Sequence, residues 1–178
     1  MDRRMFFALW PDLETRATLG GEDKTLFGGS GGKQVPPDEF HLTVRYLGPI
    51  AEDMLPDLLD LGARAARATA ASVIELDSVE WWKEAEVLVR VARTTPEALL
   101  RLDEALVIGL KAVGLATDLR PLKLHLTLVR KVRPHPLGTG PATPLAWPAD
   151  SLSLIASPGK TARYEVLAQW PFGAAPVG

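Results

Sequence analysis

The 178 residues contain no cysteine. Disulfides, thiolate metal sites and cysteine nucleophiles are therefore excluded. Histidine is scarce, with three in all: His41, His125 and His135. No long apolar run opens the chain. Met5 to Trp10, behind Arg3 and Arg4, is far too short for a signal h-region or a membrane span. No membrane association is expected, and the cytoplasm is the expected location. Charge of one sign is not in excess either. Lys and Arg number 20 against 22 Asp and Glu, a formal net charge of −2, which argues against bulk electrostatic binding to long nucleic acid. With 47% hydrophobic and 24% charged residues, the composition is that of an ordinary soluble globular protein. The length suits one sizeable domain or two small lobes. Gly and Pro, 15 each, imply many turns.

What the chain does contain is one tetrapeptide pattern twice. His41-Leu42-Thr43-Val44 and His125-Leu126-Thr127-Leu128 lie close to half the chain apart. Each sits in a β-prone run, Phe40 to Leu47 and Leu122 to Val132. Alternate strand residues point to opposite faces, so each His shares a face with the following Thr while the apolar pair anchors the back. Two imidazoles across a cleft can serve as general acid and base, because their ordinary pKa lies near neutrality. Two hydroxyls beside them can donate to an oxyanion. A phosphodiester presents both an oxyanion to hold and a leaving oxygen to protonate. A lone His-x-Thr in a strand means little, and Thr is simply common in strands; the matched offset in both copies gives the pattern its weight.

The pattern resembles the 2H phosphoesterase superfamily, and within it the RNA 2′,3′-cyclic phosphodiesterases, also called 2′-5′ RNA ligase-like or LigT-like proteins. The likeness covers nearly the whole chain. It includes Arg4 to Leu9, His41 to Gly48, Arg120-Pro121 ahead of His125 to Arg130, Gly159 to Tyr164, and Trp170.

The flanking sequence reads as strand Arg3–Trp10, then a helix capped by Asp12. Gly28 to Lys33 lacks phosphate-loop spacing, and Gln34 follows the lysine, so a loop beside the cleft is expected. A helix is predicted over about Glu52–Ala68, with Leu55, Leu58, Leu59 and Gly62 inward. A hairpin follows, Ser72–Trp82 with Glu86–Ala92. Another helix runs from Thr95 as N-cap, with Pro96 in its first turn, to Val113. Pro134–Pro148 reads as a proline-rich connection. Strands Ser151–Ser157 and Ala162–Trp170 close the chain. The expected fold class is α+β. The expected architecture is a single domain, 1–178, of two intertwined lobes related by an internal pseudo-twofold, two mainly antiparallel sheets flanked by helices with the active-site cleft between them.

The resemblance implies an enzyme that hydrolyses RNA or nucleotide 2′,3′-cyclic phosphates to a terminal 2′-phosphate, with reversible 2′-5′ ligation open. It implies His41 as proton donor to the leaving oxygen and His125 as the base that activates water, with Thr43 and Thr127 on phosphate oxygens. Arg130 is a candidate phosphate contact from the family pattern. Its odd offset of five from His125 turns it to the other face unless a bulge intervenes. Arg45 shares the His41 face if its strand is regular, and is a second candidate. Lys111, Arg120, Lys123, Arg130, Lys131 and Arg133 give the second motif a basic surround opposed by Asp118. His135, between two prolines, reads as a surface residue. One of Trp81 and Trp82 should face the core, leaving the other free to stack a base. No metal and no cofactor are expected, since neither motif has the i, i+4 helical spacing of zinc hydrolases. The expected partners are RNA ends or nucleotides bearing a 2′,3′-cyclic phosphate, bound by a monomer. Rival readings are a phosphodiesterase for another small cyclic or 2′-5′ phosphoester, and an RNA-end binding module without turnover.

Overall fold

Period-2 burial dominates the structure, a computed structural model that describes residues 3–22, 31–116, 118, 120–132, 139–157 and 164–173. The strands are β1 (Arg3–Leu9), β2 (Lys33–Gln34), β3 (Leu42–Ile50), β4 (Ser72–Trp82), β5 (Val87–Val91), β6 (His125–Arg130), β7 (Gly140–Ala149), β8 (Ser151–Ser157) and β9 (Glu165–Pro171). The helices are α1 (Leu13–Glu22), α2 (Leu55–Arg67) and α3 (Glu97–Ala112). The sheet order is β7-β4-β5-β6-β3-β1-β8-β9, with β2 added to β6, and every pairing of these strands is antiparallel. The motif strands β3 and β6 are thus innermost, each the inner edge of a four-stranded half. The halves join through one ladder pair, Leu42 opposite Leu126.

Helices α2 and α3 cover the face to which the back-side motif residues point. Leu42, Val44, Leu126 and Leu128 are buried in one cluster with Leu58 and Leu61 of α2 and Leu99, Leu102, Leu106 and Leu110 of α3. Within α2 the inward set is Leu58, Leu61, Gly62, Ala65 and Ala66, the apolar stripe of an amphipathic helix. Leu55 and Leu59 lie only partly buried beside it, so the stripe runs one residue round from the predicted one. Gly62 is required by contact: a Cβ there would come 2.4 Å from the Trp170 ring and 3.0 Å from Phe7.

Local signals behave as their chemistry demands, with two corrections. Asp12 caps α1 by accepting from the Thr15 N–H at 2.7 Å. The N-cap of α3 is Pro96 rather than Thr95, with no side-chain cap bond; Pro96 keeps an extended ψ of 139°, so helical geometry starts at Glu97. Gly114, at φ +80°, follows the end of α3. The proline-rich stretch is not all connection. Gly140–Ala149 is strand β7, and Pro141, Pro144 and Pro148 are accommodated because β7 is an edge, where a missing N–H breaks no ladder on the open side. Residues 28–30 of the glycine-rich stretch, Arg133 and His135 lie outside the described residues.

Candidate active site

Antiparallel register around Leu42 and Leu126 places position 41 opposite position 127, and position 43 opposite position 125. The two His-x-Thr pairs therefore form one quartet on the open face, each His across from the other strand's Thr. All four side chains are partly exposed while Leu42 and Leu126 are fully buried.

Each imidazole is oriented by its own backbone. His41 Nδ1 lies 2.7 Å from the carbonyl oxygen of Glu39, and His125 Nδ1 lies 2.8 Å from that of Lys123. A carbonyl only accepts, so Nδ1 donates and Nε2 is left for the cleft. Aromatic rings hold both groups. Trp10 stacks on His41 at 5.5 Å and 7°, Phe6 lies at 5.1 Å, and Tyr164 meets its edge at 5.1 Å. Trp82 lies 4.5 Å from His125. The Trp82 indole N–H donates to Glu80 at 2.6 Å, and Lys123 donates to the same Glu80 oxygen at 2.7 Å. Trp81, its neighbour, packs against the core, as strand alternation requires.

This packing sets the charge state. Burial pushes His41 down to about 4; the Arg130 and His125 charges act in the same direction and the Glu39 carbonyl opposes them. Burial also lowers His125, with the Lys123 ammonium adding to it and the Lys123 carbonyl and Glu80 opposing. Lys123 and Trp82 hold the Glu80 carboxyl below its ordinary value. Both imidazoles are neutral at pH 7 in the free protein.

The two motif strands share a second feature. In β3, Ala8 pairs with Thr43 and Phe7 with Arg45, which leaves Val44 as the extra residue of a bulge. In β6, Val89 pairs with Thr127 and Leu88 with Val129, which leaves Leu128 as the extra residue. Each bulge shifts the alternation by one. The fifth motif position, Arg45 or Val129, stays on the helix-covered face, and the sixth, Tyr46 or Arg130, comes round to the open face.

This brings Arg130 to the His125–Thr127 face despite its odd offset. It also corrects the expectation for Arg45. That side chain is buried, with Nε donating to Asp103 Oδ1 of α3 at 2.8 Å and the other nitrogens bonding Asp103 and the Asp118 carbonyl. Its guanidinium is committed to α3 and to the segment before β6, although the residue also lines the cavity beside His125. Tyr46, 55% exposed, takes the open position instead; the sequence leaves Tyr46 open between core packing and base stacking, and the bulge accounts for its turn to the open face. A cavity of about 470 Å³ opens against His125, lined by Thr43, Tyr46, Trp82, Arg120 and Lys123 among others. The basic surround is in part neutralised here, since Arg120 pairs with Asp118 and Lys123 with Glu80. Among the described residues no group of three or more His, Asp or Glu could hold a metal ion.

A mixed α+β fold whose inner strands carry two His-x-Thr pairs on one face is the arrangement of the two-histidine phosphoesterases. The family described as LigT like Phosphoesterase matches residues 17–89. An RNA 2′,3′-cyclic phosphodiesterase of Thermus thermophilus is 34% identical over 161 residues, 86% of this chain and 81% of the relative. Another protein of that name, from Escherichia coli, is 26% identical over 94% of this chain and 96% of the relative. The crystal structure of E. coli LigT complexed with 3′-AMP superposes with a TM-score of 0.84 over 97% of this chain and 99% of that one, at 24% identity. A T. thermophilus structure, 31% identical over 96% and 98%, gives 0.80. The chain belongs to the LigT-like phosphoesterases and is an enzyme of that hydrolase family.

Proposed function

We propose that the protein hydrolyses the 2′,3′-cyclic phosphate of RNA ends or nucleotides, with His41 and His125 as its catalytic pair. The observation that carries the reading is the quartet: two imidazoles with Nδ1 engaged and Nε2 open, each across from a Thr. A water activated by His125 attacks phosphorus, and the bond to the ribose O3′ breaks in line with it. His41 protonates that oxygen as it leaves. Thr43 and Thr127 donate to the non-bridging oxygens, and Arg130 stabilises the charge that builds there. Neutral His41 acquires its proton when the phosphate anion binds, because an adjacent opposite charge favours the imidazolium. Tyr46 and Trp82, both on the cavity wall, offer aromatic faces to the base. The product is a terminal 2′-phosphate, and the same displacement of O3′ by an RNA 5′-hydroxyl in place of water would form a 2′-5′ linkage. The reading takes the chain as one two-lobed domain with an internal pseudo-twofold, acting as a monomer in the cytoplasm.

The test is incubation of purified protein with 2′,3′-cyclic nucleotides and short RNAs ending in a cyclic phosphate, with products resolved against 2′- and 3′-phosphate standards. Turnover to the 2′-phosphate is expected. A 3′-phosphate product would reverse the ligand's orientation and leave the two-histidine chemistry standing. No turnover of any cyclic phosphate would overturn the function.

A further inference from the structure

The functional reading leaves β2 without a role. This two-residue strand pairs with β6 at its far end, Lys33 opposite Arg130 and Gln34 opposite Val129. Cross-strand partners share a face, with Cβ atoms about 4.5–5.5 Å apart. Lys33 therefore stands beside Arg130 on the open face that also carries His125 and Thr127. The placement is tight. A Cβ on Gly32 would lie 2.6 Å from the Arg130 carbonyl oxygen, so the backbone next to Lys33 fits β6 only as glycine.

Two cations directly opposite in a ladder repel. Among the described residues neither Lys33 nor Arg130 has a carboxylate partner, whereas Lys123 and Arg120, at the other end of the site, both do. The chain as a whole is net negative. An unneutralised basic pair, docked in register in such a chain, is suited to an anion from outside. Arg130 shares the strand and open face of His125 and Thr127, and its charge acts on His41, while Lys33 stands beside it on the neighbouring strand.

Resting on the cyclic-phosphate reading, we propose that Lys33 binds the phosphodiester that joins the terminal nucleotide to the rest of an RNA chain, so that the site is built for RNA ends rather than mononucleotides. Arg130 holds the reacting phosphate and Lys33 the next one along. The ion pair is solvent-exposed, and its contribution is modest and salt-dependent.

The test compares wild type with Lys33→Ala and Lys33→Arg on two ligand pairs. One pair is a 2′,3′-cyclic mononucleotide and a cyclic-ended trinucleotide, read by turnover. The other is a nucleoside 2′-monophosphate and a trinucleotide ending in 2′-phosphate, read by calorimetric binding. Lys33→Ala is expected to raise KM and Kd about 3–10-fold for the trinucleotides, with kcat and both mononucleotide constants unchanged. The slope of log Kd against log salt for the trinucleotide should fall by about 0.7, the share of one single-strand phosphate contact. Lys33→Arg should restore wild-type behaviour. Equal losses on mononucleotide and trinucleotide would assign Lys33 to the reacting phosphate and overturn the proposal; so would no loss on either. Failure of all turnover with the binding pattern intact would overturn the hydrolytic reading and leave the second phosphate site standing.

Discussion

Leu42 and Leu126 face each other as the one ladder pair that joins the two halves of the sheet. Their side chains are fully buried against α2 and α3, and their neighbours on the opposite face are the two histidines and two threonines. Core packing and site geometry are thus coupled through two adjacent backbone positions. Leu126→Ala removes buried volume at that junction and should cost about 2–5 kcal/mol of stability. The activity that survives in the folded fraction should fall as well, because the Thr127 and His125 positions lose their register. Chemical denaturation with assays on the same sample checks this; a destabilised variant with unchanged kcat would uncouple the two.

The histidines themselves lie on the open side, where truncation leaves the core intact. His41→Ala and His125→Ala should each lose about 10²–10⁴-fold in kcat with unaltered secondary structure. The measurement is single-turnover hydrolysis beside circular dichroism. Near-wild-type rates in a folded variant would remove the residue from the mechanism.

The sequence made the site legible at positions one and three of each motif and obscured it at five and six. Period 2 assigns His41 with Thr43, and His125 with Thr127, correctly. Continued along the strand, the same rule puts Arg45 on the His41 face and Arg130 on the face opposite His125, and the bulges at Val44 and Leu128 exchange those faces. A bulge is a pairing property of two strands, and nothing in one strand's own sequence announces it. The strands and helices were legible where period and capping agreed, as at Asp12. Strand β7 was hidden because its prolines read as a connection, and an edge position is a tertiary fact.

Arg45 supplies a prediction of its own. Its ion pair with Asp103 is nearly buried, the side chains 7% and 13% exposed. Removing one partner strands the other, a loss of about 3–5 kcal/mol. Arg45→Met and Asp103→Leu alone should each lower stability by that order, while the double replacement should recover much of it. Because Arg45 also grips the Asp118 carbonyl ahead of β6, the single variants should raise KM through disorder in the cavity wall. A thermodynamic double-mutant cycle checks the coupling; additive losses would show that the pair contributes nothing together.

Metal chelation separates proton transfer from Lewis-acid catalysis. Prolonged dialysis against a strong chelator, then assay in chelator, should leave the rate within about twofold of the untreated enzyme if His41 and His125 act as proton carriers. Loss of activity that a single divalent ion restores would assign the histidines to a metal instead.

Acid should weaken the free protein, and His41 is the main reason. Its folded pKa of about 4 lies below the ordinary 6.5, so between those values the unfolded chain binds a proton that the native state refuses. Stability therefore rises with pH across that window and falls as the pH drops from about 6.5 towards 4. A shift of that size corresponds to about 3 kcal/mol once the pH is below the folded pKa. His125, lowered in the same direction, steepens the fall. His41→Gln, which keeps a polar side chain and cannot titrate, should flatten most of the slope between pH 6.5 and 4 relative to wild type. The sign reverses with ligand: a bound phosphate favours the imidazolium, so anion binding should take up protons and strengthen as the pH falls through this window. Urea melts at half-unit pH steps, with and without nucleoside 2′-monophosphate, measure both effects. A His41→Gln slope equal to wild type would place the acid sensitivity elsewhere. Anion affinity independent of pH, once the ligand's own protonation at about pH 6 is subtracted, would show that neither imidazole gains a proton on binding, and would remove His41 as the donor.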